Sequence, residues 1–154
     1  MNPAHVEVGT SDFAIGKAPQ ILSTSGIGSC IAICLYDRVK RAGALLHIML
    51  PRSEGSGLNP LRFADTALSV VIEKLQNEGI DATDLTAKIV GGAQMFKAFA
   101  SDESVGNRNS EEVERLFQTV GIPIGGRDLG GTVGRSLDFN LSTGQVTIYT
   151  QNAQ

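Results

Sequence analysis

The chain has 154 residues, which is the length of one ordinary domain. Its composition, 42% hydrophobic and 19% charged, is that of a globular protein and excludes a disordered chain. A formal net charge of −3 argues against nucleic acid as the main partner, and no stretch of about 18 apolar residues predicts insertion into a membrane.

Strands are predicted in the first third of the chain. Residues 6–8 and 20–23 are short candidates that lie between glycine and proline residues. Residues 31–36 and 43–50 are continuous apolar runs, and a run without polar alternation is typical of a strand covered on both faces. Both runs are therefore predicted to be buried strands.

A first helix is predicted after these strands. Asn59 is a suitable N-cap, and Pro60 follows at the first helical position, where its missing N–H group costs nothing. Gly79 is a suitable end. Between them, apolar side chains recur at helical spacing and are expected to face the core: Ala64, Ala67, Leu68, Val71, Ile72 and Leu75.

A second helix is predicted from Asn109 to Gly121. Asn109 with Glu112 three residues later has the pattern of a capping box, and glycine is a common residue at a helix end. The side chains predicted to face inward are Val113, Leu116, Phe117 and Val120.

The remaining segments are predicted from glycine positions and apolar runs. Residues 86–90 are predicted to form a strand that runs into Gly91 and Gly92, which would form either a tight strand exit or an anion-binding nest. Residues 125–134 are a glycine-rich segment, and residues 136–141 and 145–150 are predicted to pair as a hairpin. With no linker in the sequence, residues 1–154 are expected to form a single domain.

The two cysteines, Cys30 and Cys34, are expected to be free thiols. Four residues of strand span about 13 Å, whereas a disulfide tolerates about 7 Å between Cα atoms. The first residues also lack the basic and apolar pattern of a secretory signal. We therefore expect a reducing, cytoplasmic location.

Residues 24–30 form the stretch most indicative of chemistry. Two glycines and a serine lead to Cys30 at the start of a buried strand, and this setting suits a nucleophilic thiol, with loop N–H groups available to an oxyanion. The alternative is that Cys30 is a small hydrophobic residue that begins the strand, as most free cysteines are. His47 lies in an apolar run, where a histidine is often structural. If Cys30 is a nucleophile, His47 is the candidate general base, because the other histidine, His5, is close to the N-terminus.

Other site types are weaker. Gly26 and Gly28 begin a dinucleotide-like pattern, but Ile31 replaces its third glycine and no helix follows. A zinc site would need both cysteines and both histidines, and strand spacing separates the thiols. Ser29 lacks the glycine that a nucleophile elbow requires. No cofactor or metal is therefore expected.

Six blocks of the sequence carry a family resemblance: residues 28–37, 47–51, 63–67, 87–96, 106–109 and 128–131. In these blocks the chain resembles the chemoreceptor glutamine deamidase family, CheD. The resemblance runs from about residue 10 to residue 150, and the order and spacing of the blocks make it specific.

The resemblance implies a catalytic set of Cys30, His47 and Thr24. It also implies an α+β fold in which layered β-sheets pack face to face with the helices on the outside. The implied activity is protein-glutamine deamidation through a thioester, on glutamines in the cytoplasmic helices of methyl-accepting chemoreceptors. The alternative is a non-catalytic or dual role as a docking partner of a CheC-type phosphatase, and the resemblance leaves receptor methyl-ester hydrolysis open.

Overall fold

The computed structural model describes residues 4–49, 63–94 and 105–150, with only the backbone for 105–108. Within these residues the chain forms nine strands, two α-helices and one 3₁₀ turn. The helices are α1 (Ala64–Asn77) and α2 (Val105–Val120), and the 3₁₀ turn is Ala82–Asp84. The strands are β1 (His5–Val8), β2 (Asp12–Lys17), β3 (Ile21–Ile27), β4 (Ile31–Asp37), β5 (Ala42–Ile48), β6 (Thr86–Gly91), β7 (Ile124–Leu129), β8 (Arg135–Asn140) and β9 (Val146–Thr150).

The strands form two sheets. A four-stranded sheet has the order β1-β3-β8-β9, and a five-stranded sheet has the order β2-β5-β4-β6-β7. In the larger sheet, β4 lies between β5 and β6 and is antiparallel to both, while β6 and β7 are parallel. Successive residues of β4 and β5 are all buried except Tyr36, which is partly buried, and this confirms the prediction that these apolar runs are covered on both faces.

Alternate residues of β4 enter two different cores. Ile31, Ile33 and Leu35 pack with the helices, whereas Ala32 and Cys34 pack against the four-stranded sheet. This division follows from the two-residue period of a strand, whose successive side chains point to opposite faces. The structure therefore has the predicted α+β arrangement, with two sheets packed together and helices outside the larger one.

The first helix partly follows its prediction. Helix α1 begins at Ala64 after the extended residue Phe63, and it ends before Gly79, which has φ +84°. The predicted N-cap Asn59 and Pro60 lie outside the described residues. Of the predicted inward residues, Ile72 is only partly buried, while the others are buried: Ala64, Ala67, Leu68, Val71 and Leu75.

The second helix starts earlier than predicted. Helix α2 begins at Val105, four residues before the predicted start, so Asn109 is an interior residue and not its N-cap. The capping-box interpretation was therefore wrong. The predicted end at Gly121 is confirmed, with φ +79°. Val120 was predicted to face inward, but it is the last residue of the helix and is 42% exposed.

Two strands were not predicted. Strand β2 pairs with β5 from Asp12 opposite His47 to Lys17 opposite Ala42, and β7 occupies part of the glycine-rich segment. The predicted hairpin is confirmed as β8 and β9, which are antiparallel. No helix in the described part of the chain has the length and apolar character that a membrane crossing requires.

Candidate active site

Cys30 lies at the end of the turn that joins the two sheets. Strand β3 ends at Ile27 in the smaller sheet, and β4 begins at Ile31 in the larger one. Cys30 is half-buried, and its carbonyl accepts a hydrogen bond from the N–H of Gly92 at 2.9 Å. The turn therefore holds a partly accessible cysteine where the chain passes from one sheet to the other.

His47 belongs to the neighbouring strand, β5. Ile31 pairs with Ile48, and Ala32 pairs with His47. Cys30 directly precedes Ile31, the first residue of this ladder, and stands two positions before Ala32, the partner of His47, so it lies near the end of β5 that carries His47.

Thr24 reaches His47 from the opposite sheet. The Thr24 Oγ1 atom lies 2.8 Å from Nδ1 of His47, and both residues are buried. The same Oγ1 atom donates its proton to the carbonyl of Val8 at 2.6 Å. Two of the three predicted residues are thus in direct contact, although they are 23 positions apart in sequence and belong to different sheets.

The Val8 carbonyl determines the protonation of His47. A carbonyl oxygen can only accept, so the single hydroxyl proton of Thr24 is directed to Val8. Oγ1 must then accept from His47, which places the imidazole proton on Nδ1 and leaves Nε2 with its lone pair. Among the residues described, no hydrogen-bond partner reaches Nε2, the Cys30 thiol included.

The backbone around Cys30 is held by the end of β6. The carbonyls of Cys30 and Gly28 accept from the N–H groups of Gly92 and Ala93, at 2.9 and 3.0 Å. Both amides are thus used within the backbone, so Gly91 and Gly92 form a strand exit and not an anion-binding nest. A Cβ atom on Gly91 would lie 2.2 Å from the Cys30 carbonyl oxygen, so this approach requires glycine.

Asn109 of α2 contacts the same region. Its Nδ2 group donates to the carbonyls of Ser29, at 2.7 Å, and Met49, at 3.0 Å. The side chain is fully buried, and its Oδ1 atom has no hydrogen-bond partner in the described part of the chain. A helix outside the larger sheet is therefore hydrogen-bonded to the residue that precedes Cys30.

Comparison with known proteins identifies the family. A family model described as CheD chemotactic sensory transduction matches residues 49–150. A protein of Clostridium novyi called probable chemoreceptor glutamine deamidase CheD is 42% identical over 97% of this chain and 95% of its own. One of the same name in Desulforamulus reducens is 42% identical over 96% of this chain and 91% of its own. This chain belongs to the CheD family.

The family model and the alignments with the relatives cover different parts of the candidate site. The family match begins at Met49, after Thr24, Cys30 and His47, whereas the alignments with the CheD relatives cover almost the whole chain. A crystal structure of the Bacillus licheniformis hypothetical protein YfiH matches 79% of this CheD chain with a TM-score of 0.48 and 17% identity. This chain spans half of that protein, 50%.

Burial favours the neutral forms of both titratable groups at the CheD site. Burial raises the pKa of the Cys30 thiol, and the backbone N–H of Cys30 acts in the opposite direction with a smaller effect. Burial lowers the pKa of His47 from 6.5. Because both shifts disfavour charge, the resting site is expected to hold a thiol and a neutral imidazole.

Asn109 was not predicted from the sequence to contact the candidate site. It was interpreted as a helix cap, because an asparagine with Glu112 three positions later matches a local capping pattern. The signal that could have identified it is helical spacing: Asn109 lies four residues before Val113 and eight before Phe117, both of which are buried. A polar residue on such an apolar stripe needs buried partners.

Proposed function

We propose that this chain is a hydrolase that deamidates glutamine side chains of chemoreceptors, with Cys30 as nucleophile, His47 as general base and Thr24 as the residue that orients His47. The observation that carries the proposal is the hydrogen-bonded series Val8 carbonyl, Thr24 hydroxyl and His47 Nδ1. This series leaves Nε2 as the basic nitrogen, and the pairing of Ala32 with His47, two positions after Cys30, supports Cys30 as the nearby nucleophile.

The reaction divides into acylation and hydrolysis. His47 Nε2 takes the proton of Cys30, and the sulfur attacks the carboxamide carbon to give a tetrahedral oxyanion, which N–H groups of residues 29–31 stabilise. His47 then gives its proton to the amide nitrogen, the C–N bond breaks, and ammonia leaves a γ-glutamyl thioester. In the second step His47 removes a proton from water and hydroxide attacks the thioester carbon. The C–S bond breaks, His47 returns the proton to the sulfur, and the product acid loses its proton to solvent and leaves as glutamate.

Proton transfer requires the thiol to approach Nε2 more closely than it does in this structure. Catalytic hydrogen bonds are often long without substrate and tighten in the complex. The neutral resting pair supports general-base activation during attack, since burial disfavours a permanent thiolate–imidazolium pair.

Helical chemoreceptor segments suit the half-buried position of Cys30. A glutamine on a helix surface can extend its carboxamide to a partly accessible cysteine in the turn between two sheets. The printed names of the relatives, chemoreceptor glutamine deamidase, support this substrate class. We place the reaction in the cytoplasm, where two free thiols would remain reduced.

The function is tested by incubation of the protein with purified cytoplasmic fragments of chemoreceptors from the same organism. We expect release of ammonia and, by peptide mass spectrometry, the mass increase of amide-to-acid conversion at specific glutamines. If the fragments bind but no ammonia and no converted glutamine is detected, the enzymatic proposal is wrong.

Docking on a CheC-type phosphatase is the alternative role. It requires binding but no thiol chemistry, so the Cys30→Ala variant would keep it. Titration of a purified CheC-type protein with wild type and with this variant separates the roles, since equal binding and equal stimulation of the phosphatase by both proteins would indicate docking independent of catalysis.

Removal of the Thr24 hydroxyl is expected to slow deamidation without abolishing it. Thr24→Val keeps the shape but leaves the Val8 carbonyl and His47 Nδ1 without their partner. We expect kcat to fall about ten- to a hundredfold and the free energy of unfolding to fall by about 1–3 kcal/mol. Thr24→Ser, which keeps the hydroxyl, is the matched control. Equal kcat values for the two variants would remove Thr24 from the orienting role.

As the pH is lowered, kcat/KM is expected to fall when His47 becomes protonated. The base must be neutral, and burial lowers the pKa of His47 below 6.5. A lower pKa means that Nε2 becomes protonated only at lower pH, so the midpoint of the acid limb should lie below 6.5. A midpoint above that value would instead indicate an imidazolium stabilised by a thiolate.

A further inference from the structure

Asn109 is a polar residue on the buried face of α2. One turn and two turns further along, Val113 and Phe117 pack in the core between this helix and the larger sheet. Asn109 has no exposed surface. A buried amide costs free energy unless its donors and acceptor are paired, so the hydrogen bonds of this side chain must account for its burial.

The hydrogen bonds of Asn109 fix the orientation of its amide. Both partners of the side chain, the carbonyls of Ser29 and Met49, can only accept, so the NH₂ group must face them. The two N–H bonds are then both used. The Oδ1 atom points away and has no partner in the described residues. The fold therefore keeps two donor bonds at the cost of one unsatisfied acceptor.

The two carbonyls lie just outside the paired strands of the site, one before β4 and one after β5. Ser29 directly precedes Cys30, and Met49 is two residues after His47. The paired ladder of β4 and β5 ends at Ile31 and Ile48. Asn109 therefore bridges the chain just outside the last ladder pair, where backbone pairing between these strands no longer fixes the two segments.

We propose that Asn109 is a positioning residue that fixes Cys30 relative to His47 by joining the carbonyls of Ser29 and Met49. The inference rests on the proposed function, since it assigns Asn109 to the proton transfer between these two side chains. Asn109 acts through the backbone and is not a catalytic residue. On the β6 side of this segment, the N–H groups of Gly92 and Ala93 hold the carbonyls of Cys30 and Gly28.

The test compares Asn109→Leu with Val113→Ala. Leucine has nearly the shape of asparagine but no donors, and Val113→Ala perturbs the same buried face one turn along. Peptide-resolved mass spectrometry measures the alkylation rate of Cys30 by iodoacetamide across a pH series, and steady-state assays give kcat and KM on receptor fragments. For Asn109→Leu we expect kcat to fall about tenfold or more with KM little changed, together with a shifted pH profile of alkylation. Val113→Ala should keep both the wild-type kcat and the wild-type profile.

Two results would overturn the inference. One is an Asn109→Leu protein whose alkylation profile superimposes on that of wild type once the folded fraction is taken into account. The other is an equal shift in Val113→Ala, which would indicate general loosening of the helix. The alkylation arm needs no receptor, so it decides the role of Asn109 even if wild type proves inactive on receptor fragments. Asn109→Asp provides a second variant of almost identical shape, with a carboxylate against two carbonyls, and is expected to shift the profile in the same way.

Discussion

Cys30→Ala is expected to eliminate deamidation while leaving the fold intact. Without the sulfur no thioester can form, and loss of a nucleophile in a cooperative catalytic set reduces kcat by about 10⁴-fold or more. Because Cys30 is only half-buried, the free energy of unfolding should change by less than about 1 kcal/mol. Ammonia release and urea unfolding of the same preparation measure the two effects.

Cys34→Ala is the matched control for this experiment. Cys34 lies four residues further along, packs between the sheets and has a pKa raised to about 12 by burial, so it is an inert thiol. We expect this variant to lose about 1–2 kcal/mol of stability and to retain deamidation. Turnover near the wild-type level in Cys30→Ala, or loss of turnover in Cys34→Ala alone, would show that Cys30 is not the nucleophile.

His47→Ala is expected to produce the second largest loss, about 10²- to 10⁴-fold in kcat. The variant removes the only acceptor proposed for the thiol proton, and Cys30, with its pKa raised by burial, would then ionise rarely at neutral pH. The same reasoning predicts slower alkylation of Cys30 by iodoacetamide at neutral pH. Peptide mass spectrometry of both cysteines measures this rate.

His5→Ala is the control for loss of a histidine away from the site. His5 is an exposed residue of the edge strand β1, and its removal should change neither turnover nor thiol alkylation. An unchanged alkylation rate in His47→Ala would exclude His47 as the base, whereas a raised rate would mean that the imidazole shields the thiol.

The sequence predicted the strands and helices whose signals are local. The apolar runs of β4 and β5 and the glycine ends of both helices follow from side-chain patterning and from positive φ, and the structure confirms them. Strand β7 was missed because Gly125 and Gly126 indicate a loop. In the fold, a Cβ atom on Gly125 would lie 2.9 Å from the Thr86 side chain, so glycine is what allows β7 to approach β6. Such a contact depends on the partner strand and leaves no local signal.

The site was only partly predictable for the same reason. Cys30 and His47 could be proposed from their positions at and within apolar strands, but the partner of His47 lies in another sheet, so spacing alone does not select Thr24. The family resemblance supplied that residue, and the hydrogen bond to Nδ1 gives it a physical basis. The start of α2 was mispredicted because the local capping pattern at Asn109 competes with its bonds to two distant carbonyls.

The contact between Thr24 and Val8 makes the tautomer of His47 depend on a main-chain atom. Val8 is the last residue of β1, a four-residue strand at the margin of the smaller sheet. Replacement of its side chain leaves this oxygen in place, so an alanine scan would pass over it. The chemistry of the imidazole is thereby linked to the docking of the N-terminal strand, and displacement of that strand would redirect a proton without any change in Cys30, His47 or Thr24.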